Sequence, residues 1–571
     1  MLYQAVLYLV ITTLCLWTGL IFYSIFRYIN KTSYASFHRP SLISHLLSGL
    51  MLIALFGQWL VLFFPLNITT LLAGIIPILL ILTLLTRRTL TTMFRQLITS
   101  QPKHPFFLPC LVVFVVMILV LNAGPTIMDD TDSYHIQIIK WTQEYGTVPG
   151  IANLHIRFGI NSSWFHSIAL LTPGINGINH YLTLNGLLSC WLCYYFLEKA
   201  LIPHPDKTNI SVAVAILLLT CLILWSMIRG NAATANYDFI SSCCIIVLVI
   251  EAGLASDPAH MPEWIIWPLF LCTVKLINFA LLLLGLLSLI RYFSKRTLLT
   301  YIAAAAFILI PFGIRNLLLS GYPLFPLPQF DLFAFDWKVS RSLVAEWMDY
   351  TKYFNRSNGN PELVSHLPFP GWVRIWQTHL FPYDKVLADF SLLCWLLILL
   401  RWRKLTILFS APYKLLVLVL LFMLTAWFVT APDPRFIYGA LLAGIFIFIM
   451  TLPPLITPGR RHFLNIAVIT LSVSIFIYTA IKVITNPHYR NWVLPYALPV
   501  PATRRLIVDG IEMRIPEKVL DNWNPRCFDL QLPCLYVPNP HLHARGKDIR
   551  DGFRLEGTRQ EQQMTGEFKI R

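Results

Sequence analysis

The sequence predicts an all-α protein that crosses a membrane about 14 times and ends in a small, loop-rich extracytoplasmic domain. Three observations carry this reading. The 571 residues are 56% hydrophobic and 13% charged, with a mean hydropathy of +0.64; a soluble domain is roughly 25% charged. The apolar residues gather in runs close to the roughly 20 residues that a helix needs to span a bilayer. The basic residues stand mostly in short loops between those runs. Such a chain is not an ordinary soluble globular protein. Nor is it disordered, because disorder needs low hydrophobicity and high charge density. The net charge of +16 does not point to nucleic acid, since its distribution is the one that orients membrane spans.

The first run, Ala5 to Phe26, is too long for a signal-peptide core and has no clear small-residue cleavage site, so it reads as a retained span. Further runs fall at 42–64, 66–86, 106–123, 178–197, 209–228, 239–255, 264–292, 298–319, 386–402, 411–431, 435–455 and 462–484. Basic clusters follow four of them: Arg27, Lys31 and Arg39; Arg87, Arg88, Arg95 and Lys103; Arg401, Arg403 and Lys404; Arg460 and Arg461. Placing these clusters in the cytoplasm puts the N-terminus outside. The loops 124–161 and 320–385, the corner Ala431–Arg435 and the tail after residue 485 are then outside as well. The middle stays open. Either Ser162–Thr172 does not cross and 264–292 is a pair of half-spans around Lys275, or the first crosses and the second is a single span. Only residues 199–263 change sides between the two. Lys199 and Lys207 against a lone Arg229 favour the hairpin, with Asp238 outside.

This divides the chain into an N-terminal three-span extension (1–105), a transmembrane core (106–484) and an extracytoplasmic tail (485–571). The tail holds 13 Lys+Arg against 10 Asp+Glu, frequent prolines and strand-like pieces such as Arg505–Val508. Nine of the eleven cysteines sit in or beside apolar runs, where cysteine behaves as a small hydrophobe. Cys527 and Cys534 are the exceptions. In an oxidising compartment they can form a disulfide; the bland alternative is two free thiols in a small apolar cluster.

The segment Met128-Asp-Asp-Thr-Asp-Ser-Tyr-His135 places three carboxylates just outside a span. Behind it Tyr134, Ile138, Trp141 and Tyr145 repeat on one helical face, which suits a helix lying in the headgroup layer. Asp130 shares the face of Tyr134, and Asp132 points elsewhere. Acids at a helix start can simply cap free N–H groups and complement the dipole. That accounts for one or two of them, Asp132 above all. The functional reading is a general base or metal ligand at the mouth of a membrane cavity.

The stretch 148–164 is crowded with hydrogen-bonding groups, among them His155 and Arg157. It is open to two readings, a solvated loop or a sugar- or phosphate-reading wall. Arg315, Arg435 and Lys275 are each explained singly as interfacial anchors that snorkel. Together with outward carboxylates they can clamp a lipid phosphate. Lys275 stands out, because ionisable groups inside spans are costly and usually functional. The aromatic loop 320–385 either covers a cavity, stacks on sugar rings or forms an interfacial helix pair.

Many spans, Asp130-x-x-x-Tyr134 in the first large outer loop, a helix after it and the later Arg315-Asn…Ser320-Gly-Tyr-Pro loop together resemble the GT-C superfamily. These are integral-membrane glycosyltransferases that use polyprenyl-phosphate-linked sugars, protein mannosyltransferases among them. The segment Arg229…Asn236-Tyr-Asp238 is similar to a second acidic point in that family. The resemblance covers residues 106–440. Two departures stand beside it: three spans precede the one that would come first, and the family's Pro-Pro after the outer helix is replaced by Pro149-Gly150.

The resemblance implies inverting transfer from a polyprenyl-phosphate-sugar donor to a glycan, lipid or protein acceptor, on the periplasmic face of a bacterial inner membrane. It implies Asp130 as general base and Asp132 or Asp129 as groups that orient the acceptor or hold a divalent cation such as Mg or Mn. Tyr134, His155, Arg157 and Asp238 would line the substrate, and Lys275, Arg315 and Arg435 would hold the departing phosphate. No nucleotide cofactor is expected. The competing readings are a transporter or flippase of lipid-linked glycan and a non-catalytic scaffold of envelope assembly. Polar residues gather at one face rather than mid-span, which favours surface chemistry over translocation.

Overall fold

The computed structural model describes residues 1–30, 40–99, 102–174, 178–204, 209–258, 261–291, 295–455, 461–517, 526–535 and 539–557. Lys31, Arg39, Lys207 and Arg460, used above to orient the spans, lie outside them. The protein is 70% helix and 4% strand. Among the described residues six helices are long and apolar enough to cross a membrane.

The chain opens with α1 (Leu2–Asn30) and α2 (Leu42–Leu60), which pack side by side. A short α3 (Ile68–Thr70) runs through a π-turn into α4 (Ile76–Thr99). The helix outlasts the apolar run that ends at residue 86. The helix continues through Arg87, Arg88 and Arg95, so these basic residues lie on it rather than in a loop after it. The helix has reason to continue: Leu and Arg are good helix formers, and no Pro or Gly interrupts the stretch. Leu80, Ile81, Leu84 and Leu85 on α4 are 52–76% exposed, as a lipid-facing helix requires.

After α5 (Phe107–Asn122) the chain turns through a π-turn at Thr131–His135 into α6 (Ile136–Glu144) and α7 (Ser163–Leu171). At nine residues α7 is too short to cross, and all nine are buried. Tyr134, Ile138 and Trp141 are buried too. The aromatic stripe therefore packs inward, against α7 and the tail residue Phe553 (6.3 Å from Trp141), and not into the headgroup layer.

The centre follows: α8 (Thr183–Leu201), α9 (Asn209–Ile223), α10 (Asp238–Leu254), α11 (Glu263–Val274), α12 (Leu282–Arg291) and α13 (Lys295–Ser320). All but one residue of α10 is buried. A helix apolar on every side belongs in the interior or in lipid, and this one is the interior column. The run 264–292 is broken at Lys275, and α11 and α12 fold back on each other, with the Trp264 indole donating to Leu284 O at 3.2 Å. That is the hairpin arrangement of the two open above. It sets Asp238 at the same end of the bundle as Asp130 and Arg435.

The loop 320–385 folds into α14 (Arg341–Ser357) and α15 (Gly371–His379). The membrane part closes with α16 (Pro382–Leu400), α17 (Trp402–Leu408), α18 (Ala411–Thr430), α19 (Tyr438–Met450) and α20 (His462–Thr485).

The tail contains two antiparallel hairpins. β1 (Thr503–Val508) pairs with β2 (Ile511–Pro516) through an Asp509-Gly510 turn, a two-residue loop suited to strand twist. β3 (Leu542–Ala544) pairs with β4 (Phe553–Leu555). Cys527 and Cys534 form a disulfide, and both are fully buried. Its loop joins β2 through Arg514 N to Pro533 O and Leu535 N to Arg514 O.

Candidate functional site

The polar groups at one end of the bundle meet in a half-open cavity of about 780 Å³. Asp130, Tyr134, Arg157, Asp238, Lys275 and Arg435 line it. Its remaining wall is largely apolar, with Leu276, Phe312 and Val429 on one side and Trp347 and Met348 of α14 on another. Of the readings open for loop 320–385, the loop both lines a cavity and folds into a helix pair, α14 and α15.

Asp130, Asp238, Lys275 and Arg435 are each delivered by a break in regular structure. Asp130 immediately precedes the π-turn, whose Thr131 Oγ1 accepts from Ala235 N at 3.2 Å. Arg435 follows α18, which Pro432 and Pro434 end. Its corner is pinned by the Trp376 and Trp427 indoles, which donate to Pro432 O at 2.6 Å and Asp433 O at 2.7 Å. Asp238 opens α10, and its backbone N–H is accepted by Asn236 Oδ1 at 3.0 Å. Asn236 in turn is held by Asn231 and Asn185. Lys275 sits in the extended link after α11.

Arg435 is the hub. Its Nη1 donates to Asp130 Oδ2 at 2.8 Å, and its Nε lies 3.6 Å from both Asp238 Oδ2 and Asp433 Oδ2. Lys275 Nζ donates to Asp238 Oδ1 at 2.5 Å and stands 3.2 Å from the Phe436 ring centroid. Asp238 thereby bridges the two cations. Arg157 lies 5.3 Å from the Tyr134 ring centroid. Burial alone would raise the Asp130 carboxyl, but the Arg435 guanidinium above all, with Arg157, holds it below the usual carboxylate range. His135 is buried among Tyr134, Phe165 and Tyr237, and burial lowers its imidazole to about 3, so it is neutral.

Four expected residues are elsewhere. Asp129 and Asp132 face the tail: Arg526 Nη2 donates to Asp129 Oδ1 at 2.8 Å, and Nη1 lies 3.9 Å from Asp132 Oδ2. Asp132 also accepts from Thr126 Oγ1 at 2.6 Å. Burial nonetheless pushes its carboxyl up to about 6. His155 is buried, its Nδ1 accepting from Arg157 N at 3.3 Å. Arg315 is buried one layer behind the wall, donating to Asn161 at 2.7 Å, Thr142 at 3.1 Å and Thr147 at 3.3 Å. It ties α13 to α6 and the loop after it.

Among the described residues no group of three or more His, Cys, Asp or Glu side chains is arranged to hold a metal ion. Asp130 and Asp238 are taken by Arg435 and Lys275, the pair Asp129 and Asp132 by Arg526, and Asp349 stands on α14 outside any such group. This donor set does not fit a divalent cation.

Sequence reasoning missed Asp433 and Asp384. Asp433 accepts from Arg435 N at 2.9 Å and so aims the side chain it precedes; Pro-Asp-Pro-Arg carries that capping signal. Asp384 is buried under Ser226 (3.0 Å) and Tyr438, a set of partners with no local signal.

A family described as Domain of unknown function (DUF8201) matches residues 1–442. The chain belongs to that family. Neither the curated proteins nor the solved structures give a match. The DUF8201 region ends within α19 and so contains every charged residue that lines the cavity. The disulfide loop, which grips the acidic turn from outside, lies beyond it.

Proposed function

We propose that the protein is a GT-C-type membrane glycosyltransferase. It crosses the membrane about 14 times and moves a sugar from a polyprenyl-phosphate donor to an extracytoplasmic acceptor with inversion. The observation that carries this reading is the pairing of Asp130 with Arg435 on the polar wall of a cavity that is largely apolar elsewhere. Lipid chain and sugar-phosphate need those two surfaces side by side. Asp130 accepts the proton of the acceptor hydroxyl as its oxygen bonds to the anomeric carbon. The bond from that carbon to the phosphate oxygen breaks, and the electron pair leaves with the lipid phosphate. Arg435 and Lys275 stabilise the charge gathering there, an effect often among the largest in catalysis. Tyr134 and Arg157 form the side of the pocket where acceptor and sugar meet.

The test is complementation of a deletion strain with wild type or Asp130→Asn at matched membrane levels. Envelope glycans and lipid-linked sugars are compared by mass spectrometry. Loss of one glycan modification with accumulation of its sugar-loaded lipid is the expected result. A mutant indistinguishable from wild type overturns the assignment and favours a transporter or scaffold.

A further inference from the structure

We propose that Asp130 is the resident anion of Arg435, and that an incoming lipid phosphate competes with it for the guanidinium. The inference rests on the reading above that the cavity takes a phosphorylated lipid. It follows from how the three carboxylates around Arg435 differ. Asp238 is 4% exposed and held by Lys275. Asp433 is fixed as the cap of the turn that carries Arg435. Of the three, only Asp130 meets the Arg435 guanidinium at hydrogen-bond distance, and both side chains are about one-quarter exposed, toward the cavity.

A phosphate entering from the cavity therefore approaches Arg435 where Asp130 already stands. Two anions sharing one cation repel at contact distance. Asp130 depresses affinity for the ligand until it is displaced, and displacement separates its carboxylate from Arg435. While paired, that carboxylate is a weak proton acceptor, because the cation favours its ionised form. Capture of the phosphate by Arg435 strengthens the base. Occupancy of the lipid site thus switches on the group that activates the acceptor.

The experiment uses the full chain in nanodiscs, with farnesyl phosphate and inorganic phosphate as probes, and measures Kd by microscale thermophoresis. Asp130→Asn removes the competing charge and should bind farnesyl phosphate roughly tenfold more tightly than wild type. Asp130→Ser serves as a second variant if Asn perturbs folding. Arg435→Lys, which keeps the charge but loses the planar fork, should bind more weakly than wild type. Unchanged or weaker binding by both Asp130 variants overturns the competition. Equal affinity for inorganic and farnesyl phosphate overturns a lipid ligand. Tighter binding by Asp130→Asn with unaltered envelope glycans keeps the competition and removes the glycosyl transfer. Lost glycans with unchanged affinity do the reverse.

Discussion

Asp529 lies in the disulfide loop of the tail, and replacing it with alanine tests how firmly that loop grips the acidic turn. Its Oδ1 accepts from Lys140 Nζ at 3.1 Å and from Tyr181 OH at 2.6 Å. Lys140 keeps a second bond to the Asp529 carbonyl oxygen at 2.9 Å, and Gln137 donates to Phe528 O at 2.9 Å; these survive the substitution. Two charge-assisted bonds are lost. Each is worth about 1.5–3 kcal/mol when buried, but Asp529 is 27% exposed, so we take about 2 kcal/mol for the pair. That raises the undocked population about 30-fold, at 1.4 kcal/mol per factor of ten. The Phe528 amide reports docking directly, because it donates across the interface to Asp132 O at 3.1 Å. Hydrogen exchange of the full chain in nanodiscs should show this amide exchanging about 30-fold faster in Asp529→Ala, with α10 and α19 unchanged. A change of less than about threefold would refute the view that Asp529 ties the tail to α6.

Three further outcomes are expected. Lys275→Met leaves Asp238 buried beside Arg435 alone and should cost roughly 3 kcal/mol, read as a lower melting temperature in detergent; adding Asp238→Asn should restore most of it. Asp132 titrates near 6 in the folded loop and at about 3.9 unfolded. Its ionised form is therefore disfavoured by folding, and the stability linked to this group is present below about pH 4 and lost as pH rises to about 6. Asp132→Asn should flatten that step, of about 3 kcal/mol, in thermal shift across pH 4–7. Gly150 has φ +67°, and a Cβ there would lie 2.0 Å from Phe553 O, while one on Gly552 would lie 2.1 Å from Pro149 O. Gly150→Ala should cost about 2 kcal/mol or more and speed proteolysis of the tail.

The apolar runs were legible because each is a local property of the chain, and so was the cysteine pair, set apart from the others by the polarity of its surroundings. Asp130 and Tyr134 could be placed on one face by spacing alone, and they do line one cavity. The fate of Asp129 and Asp132 could not be read, since their partner Arg526 is almost 400 residues away and an acid in a sequence reads the same with or without it. Arg315 was equally opaque. Its ligands are Asn and Thr side chains, and only the fold shows that it is buried behind the cavity wall. The aromatic stripe on α6 misled for a related reason: periodicity finds a face but not what covers it, and here α7 and the tail cover it.

The central column α10 is anchored by a carboxylate near each end. Asp238 holds Lys275 and Arg435 at one end. At the other, Glu251 accepts from Tyr195 OH at 2.8 Å and pairs with Lys199 at 3.5 Å. The two acids are thirteen residues apart, about 20 Å along the axis. A rod fastened this way has no stroke. Sliding it by one turn, about 5.4 Å, would tear buried ion pairs at both ends at once. Any machinery that worked by shuttling its core between two faces of the membrane would meet that resistance in every cycle, whereas a reaction confined to one end asks nothing of the other.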